Sequence, residues 1–208
     1  MKDKNLTRRE KEKLRQRSEI IEAALALFSE KGFHNVSMQE ISAKSEFAMG
    51  TLYKFFKNKE SLYKEIVREN SEKFFEGMEE AFTTDGDEIE QLKNYIRVKN
   101  RMFKENLEFV RLYAAESRGV SFTLKKHKTD ESINARYLDM MKKLAAVFDE
   151  GFKNKRFEKI SDPFHLAVAL DSTLISFYLL WLDDPELYSF PEDPDDVLNI
   201  FSRGLLAK

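Results

Sequence analysis

The chain has 208 residues, seven glycines, four prolines, no cysteine and 35% charged residues, which allows a substantial core in one large or two small domains. The missing cysteine excludes a disulfide scaffold, a thiolate zinc site and a cysteine nucleophile. A net charge of −2 hides an asymmetry: residues 1–60 carry 13 Lys/Arg against 9 Asp/Glu, and residues 61–208 carry 22 against 28, a basic head on an acidic body that suits docking of one end on a polyanion. Sparse glycine and long 3.6-residue periodicities predict an all-α fold of about nine helices. The polar, basic N-terminus holds no apolar run, which predicts no signal peptide and a cytoplasmic protein.

Thr7 and Glu10 make a capping box, predicting a first helix from about Arg8 to Lys31 with Ile20, Ile21, Ala24, Leu27 and Phe28 inward. Gly32 closes it, as glycine commonly does just past a helix. Ser37 and Glu40 make a second box and start a short helix over about 38–44, with Ile41 inward. Another short helix follows over about 48–54 and carries Leu52 inward. Two helices this short must lean on neighbours, and a unit of this kind usually presents one helix to the major groove of DNA. Asn58 caps a long helix that runs to about Phe82 and spans about 35 Å. Further helices are predicted near 87–105, 107–118, 130–154, 162–183 and 194–206. The segment from Phe164 to Leu182 is apolar nearly all round. His165, Asp171, Ser172, Thr173 and Ser176 argue against a membrane span, so burial on most faces is the expectation, against its own core and a second subunit.

Residues 20–63 resemble the DNA-binding domain of TetR/AcrR-type transcriptional regulators. The resemblance rests on Ile21, Ala24, Leu27, Phe28, Gly32, Phe33, Val36, Ser37, Ile41, Gly50-Thr51-Leu52-Tyr53, Phe56, Lys59-Glu60 and Leu62. It implies an N-terminal three-helix head with a helix-turn-helix (residues 1–57) and a larger helical ligand-binding and dimerisation domain (residues 58–208). It further implies a homodimeric regulator, most often a repressor, bound to a palindromic double-stranded operator and released by a small-molecule effector. With so many phenylalanines, an apolar or aromatic effector is the expectation. No cofactor is implied.

Carried over position by position, the resemblance assigns phosphate contacts to Tyr53 and Lys59, with Ser37, Lys57 and Thr51 beside them. Ala48, Met49 and Gly50 fall in the base-facing turn, where Gly50 permits close backbone approach and Met49 would meet a thymine methyl. Lys54, Gln39 and Lys44 are further candidates at the groove edges. The basic residues Arg8, Arg9, Lys11, Lys13, Arg15 and Arg17 suggest an arm along neighbouring phosphates. The turn departs from the family pattern: Glu46 stands where glycine is common, and Ala48 where a serine often caps the reading helix.

In the body, Phe103, Tyr113, Phe148, Phe177, Tyr178, Trp181 and His165 are candidates to line an effector pocket. The resemblance places the last two helices in a four-helix dimer interface, with Leu174, Phe177, Trp181, Val197, Phe201 and Leu205 as candidates. A different class, a small helical enzyme or metal protein without DNA binding, has little support. The three histidines, at 34, 127 and 165, have no metal-ligand spacing, and there is no P-loop, dinucleotide fingerprint or G-x-S-x-G. No catalytic or metal residue is therefore assigned.

Overall fold

The computed structural model describes residues 6–117 and 131–202, and among these it contains nine α-helices, two short 3-10 turns and no strand. The first helix, α1 (Arg8–Lys31), opens on the full Thr7/Glu10 capping box. It ends at Gly32, whose φ of 79° admits glycine without penalty, and whose N–H donates to the Phe28 carbonyl at 2.9 Å. A 3-10 turn (Phe33–Asn35) leads to α2 (Met38–Ser45), opened by the Ser37/Glu40 box. Glu46 then takes φ 59°, ψ 18°, the left-handed turn conformation. Ala48 enters α3 (Met49–Phe55) with no side-chain cap.

The fourth helix, α4 (Lys59–Met78), starts at a reciprocal cap: Ser61 N–H donates to Asn58 Oδ1 at 2.8 Å and Asn58 N–H to Ser61 Oγ at 3.1 Å. Its last predicted turn, Glu79–Phe82, is 3-10 rather than α. Then come α5 (Glu88–Glu105), α6 (Leu107–Ser117), α7 (Glu131–Lys153), α8 (Pro163–Asp183) and α9 (Pro194–Ser202). Pro163 occupies the first turn of α8, where its missing N–H costs nothing, and Asp162 accepts the Phe164 N–H at 2.9 Å.

The described residues fall into two compact units, one built from the chain up to Asn70 with the segment beginning at Glu108, the other from Ser71–Leu107 and the helices after residue 130. The first unit has a core of Ile20, Ala24, Leu27, Phe28, Val36, Ile41, Leu52, Phe56, Leu62 and Ile66, joined by Leu112 of α6. Within it α1 and α4 run antiparallel. Phe33, just past the end of α1, stacks on Tyr63 near the start of α4 (4.9 Å), whereas Arg17 bonds to Glu65 and Glu69 further along. The outer half of α1 buries nothing; residues 8–15 are exposed on every side. Local bonds hold it helical, with Arg15 paired to Glu12 at 2.7 Å and to Glu19 at 2.6 Å.

The second unit packs α5, α7 and α8 together around Leu92, Ile96, Met141, Leu144, Leu170 and Leu174. The buried residues of α8 are Ala167, Leu170, Asp171, Leu174 and Tyr178, one stripe at helical spacing. Burial on most faces was the expectation for this helix; within one chain only that stripe is covered. Near the middle of it, Asp171 is fully buried and accepts hydrogen bonds from the Tyr95 hydroxyl at 2.5 Å and the Tyr137 hydroxyl at 3.2 Å. It also forms a buried ion pair with Lys99. Burial raises the hydroxyls of Tyr95 and Tyr137, the latter to about 12, so both are neutral donors to the carboxylate. Burial also pulls the Lys99 ammonium down, and the adjoining carboxylate opposes that shift.

Candidate nucleic-acid interface

The α2–turn–α3 segment is shaped by local chemistry. Ser42 Oγ donates to the Phe47 carbonyl at 2.5 Å, pinning the turn that Glu46 makes. Of α3, only Leu52 is buried; Ala48, Gly50, Tyr53 and Lys54 are exposed, and Thr51 is half-buried. Tyr53 is 52% exposed, far too open to be a packing residue. A Cβ built on Gly50 meets no atom within 4 Å. Gln39, Lys44 and Lys57 are exposed as well. This face therefore offers a hydroxyl, three lysines, an amide and a stretch of naked backbone, a set suited to phosphate oxygens and close approach to a groove.

Three of the expected contacts are used by the fold itself. Met49 is half-buried and packs against the first unit's core, so part of its side chain is directed inward. Lys59 Nζ donates to the carbonyls of Phe33 and Val36, each at 2.7 Å, and to His34 at 3.4 Å, and it lies 4.5 Å from the centre of the Phe33 ring. Its donors thus close the carbonyls between α1 and α2, a structural duty beside the phosphate contact expected of this side chain. Ser37 is committed too. Its N–H donates to Glu40 Oε2 at 2.8 Å, and its hydroxyl donates to the same oxygen at 2.9 Å and accepts the Glu40 N–H at 3.2 Å. The anion at the start of α2 is the chain's own carboxylate, which the Lys31 ammonium and the Ser37 donors hold down at about 2.

The basic arm divides in the same way. Arg15 and Arg17 are spent on carboxylates, while Arg8, Arg9, Lys11 and Lys13 are exposed with no salt bridge among the described residues. Because α1 is antiparallel to α4, these cations continue away from the end of α1 that meets Lys59, not toward it. Arg68 bonds to Glu65 at 2.6 Å and holds that carboxyl below its usual range.

The effector candidates are scattered. Phe103, Tyr178 and Trp181 do come together: Phe103 stacks on Tyr178 at 4.2 Å, and Trp181 meets Phe103 edge-on at 6.1 Å. Phe190, which sequence reasoning missed, completes the cluster at 5.4 Å from Tyr178. Phe148 pairs with Phe157 and Phe177 is half-buried. Tyr113 belongs to the first unit beside Phe109, and His165 is exposed in the first turn of α8, which removes it from any lining role within the chain. A cavity of about 270 Å³ lies elsewhere in the second unit, lined by Phe82, Gln91, Lys143, Val147 and Glu150 among others, none of them anticipated. Of the interface candidates, Leu174 and Val197 are buried in their own chain and cannot also face a mate. Trp181 is half-buried. Phe201 is placed only as a position on α9, and Leu205 lies outside the described residues.

The buried polar network of Tyr95, Lys99, Tyr137 and Asp171 was not foreseen. A carboxylate in the middle of an otherwise apolar helix was its one visible signal. Such a residue needs a partner, but nothing local says which.

An exposed helix-turn-helix with this face, set on an all-helical chain, defines a protein of the helix-turn-helix class. The model of the bacterial regulatory proteins, tetR family, matches residues 20–66. The chain is 36% identical over 70 residues to the fatty acid metabolism regulator protein of Bacillus subtilis (strain 168), covering 34% of this chain and 36% of that relative. The match is thus confined to little more than a third of either protein. To the HTH-type transcriptional repressor KstR of Mycolicibacterium smegmatis the chain is 24% identical over 167 residues, 80% of this chain and 76% of the other. Among solved structures, the transcriptional regulator FadR from Bacillus subtilis in complex with stearoyl-CoA superposes with a TM-score of 0.70, over 91% of this chain and 99% of that one at 21% identity, a likeness of fold.

Proposed function

We propose that this protein is a cytoplasmic, homodimeric DNA-binding transcriptional repressor that grips a palindromic operator and is released by an apolar or aromatic small molecule. Residues 1–57 serve as the DNA-binding part, and residues 58–208 as the effector-binding and dimerisation part. The observation that carries the reading is the outer face of α3. Glycine inside a helix is destabilising by about 0.5–1 kcal/mol relative to alanine. Gly50 sits there with open space above it, so packing does not demand it. Close approach of another backbone does, and Tyr53, Lys54 and Lys57 flank the spot as phosphate ligands.

For the effector, the FadR structure with stearoyl-CoA makes a long-chain acyl thioester the first class to test. The aromatic cluster of Phe103, Tyr178, Trp181 and Phe190 would suit such an apolar chain. Sequencing of genomic fragments retained by the purified protein, with and without acyl-CoA, tests the whole reading. Expected are fragments with inverted half-sites, salt-dependent retention and loss of retention with effector. A monomer at micromolar concentration that retains no DNA at low salt would end the proposal.

A further inference from the structure

The reading helix is weakly tethered. It is seven residues long, lacks a side-chain cap at Ala48 and buries only Leu52 within its own span. Its firmest attachment lies just past its end. Phe56 is 4% exposed and donates its N–H to the Leu52 carbonyl at 2.9 Å. The Arg17 guanidinium lies 5.7 Å from the centre of the Phe56 ring. The same guanidinium forks onto α4, with Nη2 at 2.5 Å from Glu65 Oε1 and Nη1 bonded to Glu69 Oε1. Arg68 closes the set from α4, at 2.6 Å from Glu65 and 3.6 Å from Glu69. Arg17 is 26% exposed and its two partners 30% and 24%, so these charges are screened less than surface pairs. One side chain of α1 therefore touches both α4 and the residue that ends the reading helix.

We infer that Arg17, held by Glu65 and Glu69, is a positioning residue for DNA recognition that fixes the C-terminal end of α3 against α1 and α4. The inference rests on the DNA-binding reading for its purpose, though not for its geometry. Among the described residues Arg17 makes its hydrogen bonds and ion pairs to α4 and none to α3, so its role is distinct from that of a phosphate ligand. A lysine would not replace it, because one ammonium cannot present the planar fork that two carboxylates accept.

Two variants separate this role from the alternatives. Arg17→Met keeps apolar mass against Phe56 and removes the fork. The double variant Glu65→Gln/Glu69→Gln keeps shape and removes two negative charges. On charge alone the double variant binds DNA more tightly; the clamp requires it to bind more weakly. Amide hydrogen exchange of the DNA-free protein is expected to quicken about tenfold over Gly50–Phe56 in both variants, with amides of α5 and α8 unchanged. Affinity for a duplex selected by the wild-type protein from a random pool is expected to fall about tenfold, with the salt slope unchanged. Unchanged exchange in α3, or tighter binding by the double variant, overturns the inference, and a salt slope reduced by about one in Arg17→Met reassigns it as a phosphate contact. If the wild-type protein selects no duplex, the DNA-binding reading fails while the exchange result still decides the clamp.

Discussion

The two units handle their polar groups in opposite ways. In the first, the bonds that start its helices close within a few residues of chain and stay at the surface, Thr7 with Glu10, Ser37 with Glu40, Asn58 with Ser61, and its longer reaches, from Arg17 to Glu65 and Glu69, are only part-buried. In the second, the decisive bonds join residues far apart and lie inside. Tyr95 reaches Asp171 across 76 positions, Tyr178 reaches Asn100 across 78, and Asn100 reaches the Pro191 carbonyl across 91. Short-range bonds leave the first unit's outer face available to a partner. Long-range buried bonds commit the second to one arrangement of α5, α7 and α8, and make that arrangement expensive to disturb.

The largest effect should come from the buried pair. Asp171→Ala strands the Lys99 ammonium in the core and is expected to cost about 3–5 kcal/mol in denaturant unfolding, whereas Lys99→Met/Asp171→Leu together recovers most of it. A cost below about 1 kcal/mol for the single change would erase the contrast between the units. Next is Lys59→Met, expected to destabilise the first unit by about 1.5–3 kcal/mol through its lost charge-assisted bonds. Its salt slope for DNA should match wild type; a drop of about 0.9 would mean that a phosphate draws Lys59 away from its carbonyls.

Gly50→Ala is a smaller change with two opposite signs. Stability should rise by about 0.5–1 kcal/mol, since a Cβ has room, while affinity for DNA falls at every salt concentration. Unaltered affinity would remove the reason for glycine there. The smallest effect is a pH dependence. Glu40 titrates at about 2 in the folded chain against an ordinary 4.5, so its contribution is complete above 4.5 and is lost as the pH falls through about 2. Thermal melting followed from pH 5 to pH 2 should decline in wild type and decline less in Glu40→Gln. Parallel acid limbs in the two proteins would show that the Ser37 box does not sense protons.

What could be foreseen follows the same division. Both capping boxes and the Gly32 stop are written in neighbouring residues, and α1 and the start of α2 fall within a residue of where those signals put them; the left-handed turn at Glu46 is legible only against the family pattern. The structural bonds of Lys59 could not be foreseen because carbonyls of residues 33 and 36 leave no mark on the sequence. At Ser37 the sequence shows the capping box but not which anion the helix start holds, since a start that suits phosphate suits Glu40 equally well. On α8 the uniform apolarity gave no stripe to read, so Leu174 looked as available as Trp181 although only the latter is partly uncovered. Phe190 went unnoticed in a stretch of prolines and acids, where no periodicity points it anywhere.

Asp171 has one more consequence, seen before the chain has folded. Among the described helices α8 alone is long and apolar enough to cross a membrane, and its 21 residues reach about 30 Å. A carboxylate near the centre of such a segment adds about 2.5–3.5 kcal/mol to the free energy of insertion into the bilayer. The side chain that later locks α5 to α8 is thus, in the emerging chain, the residue that biases this helix toward water rather than lipid.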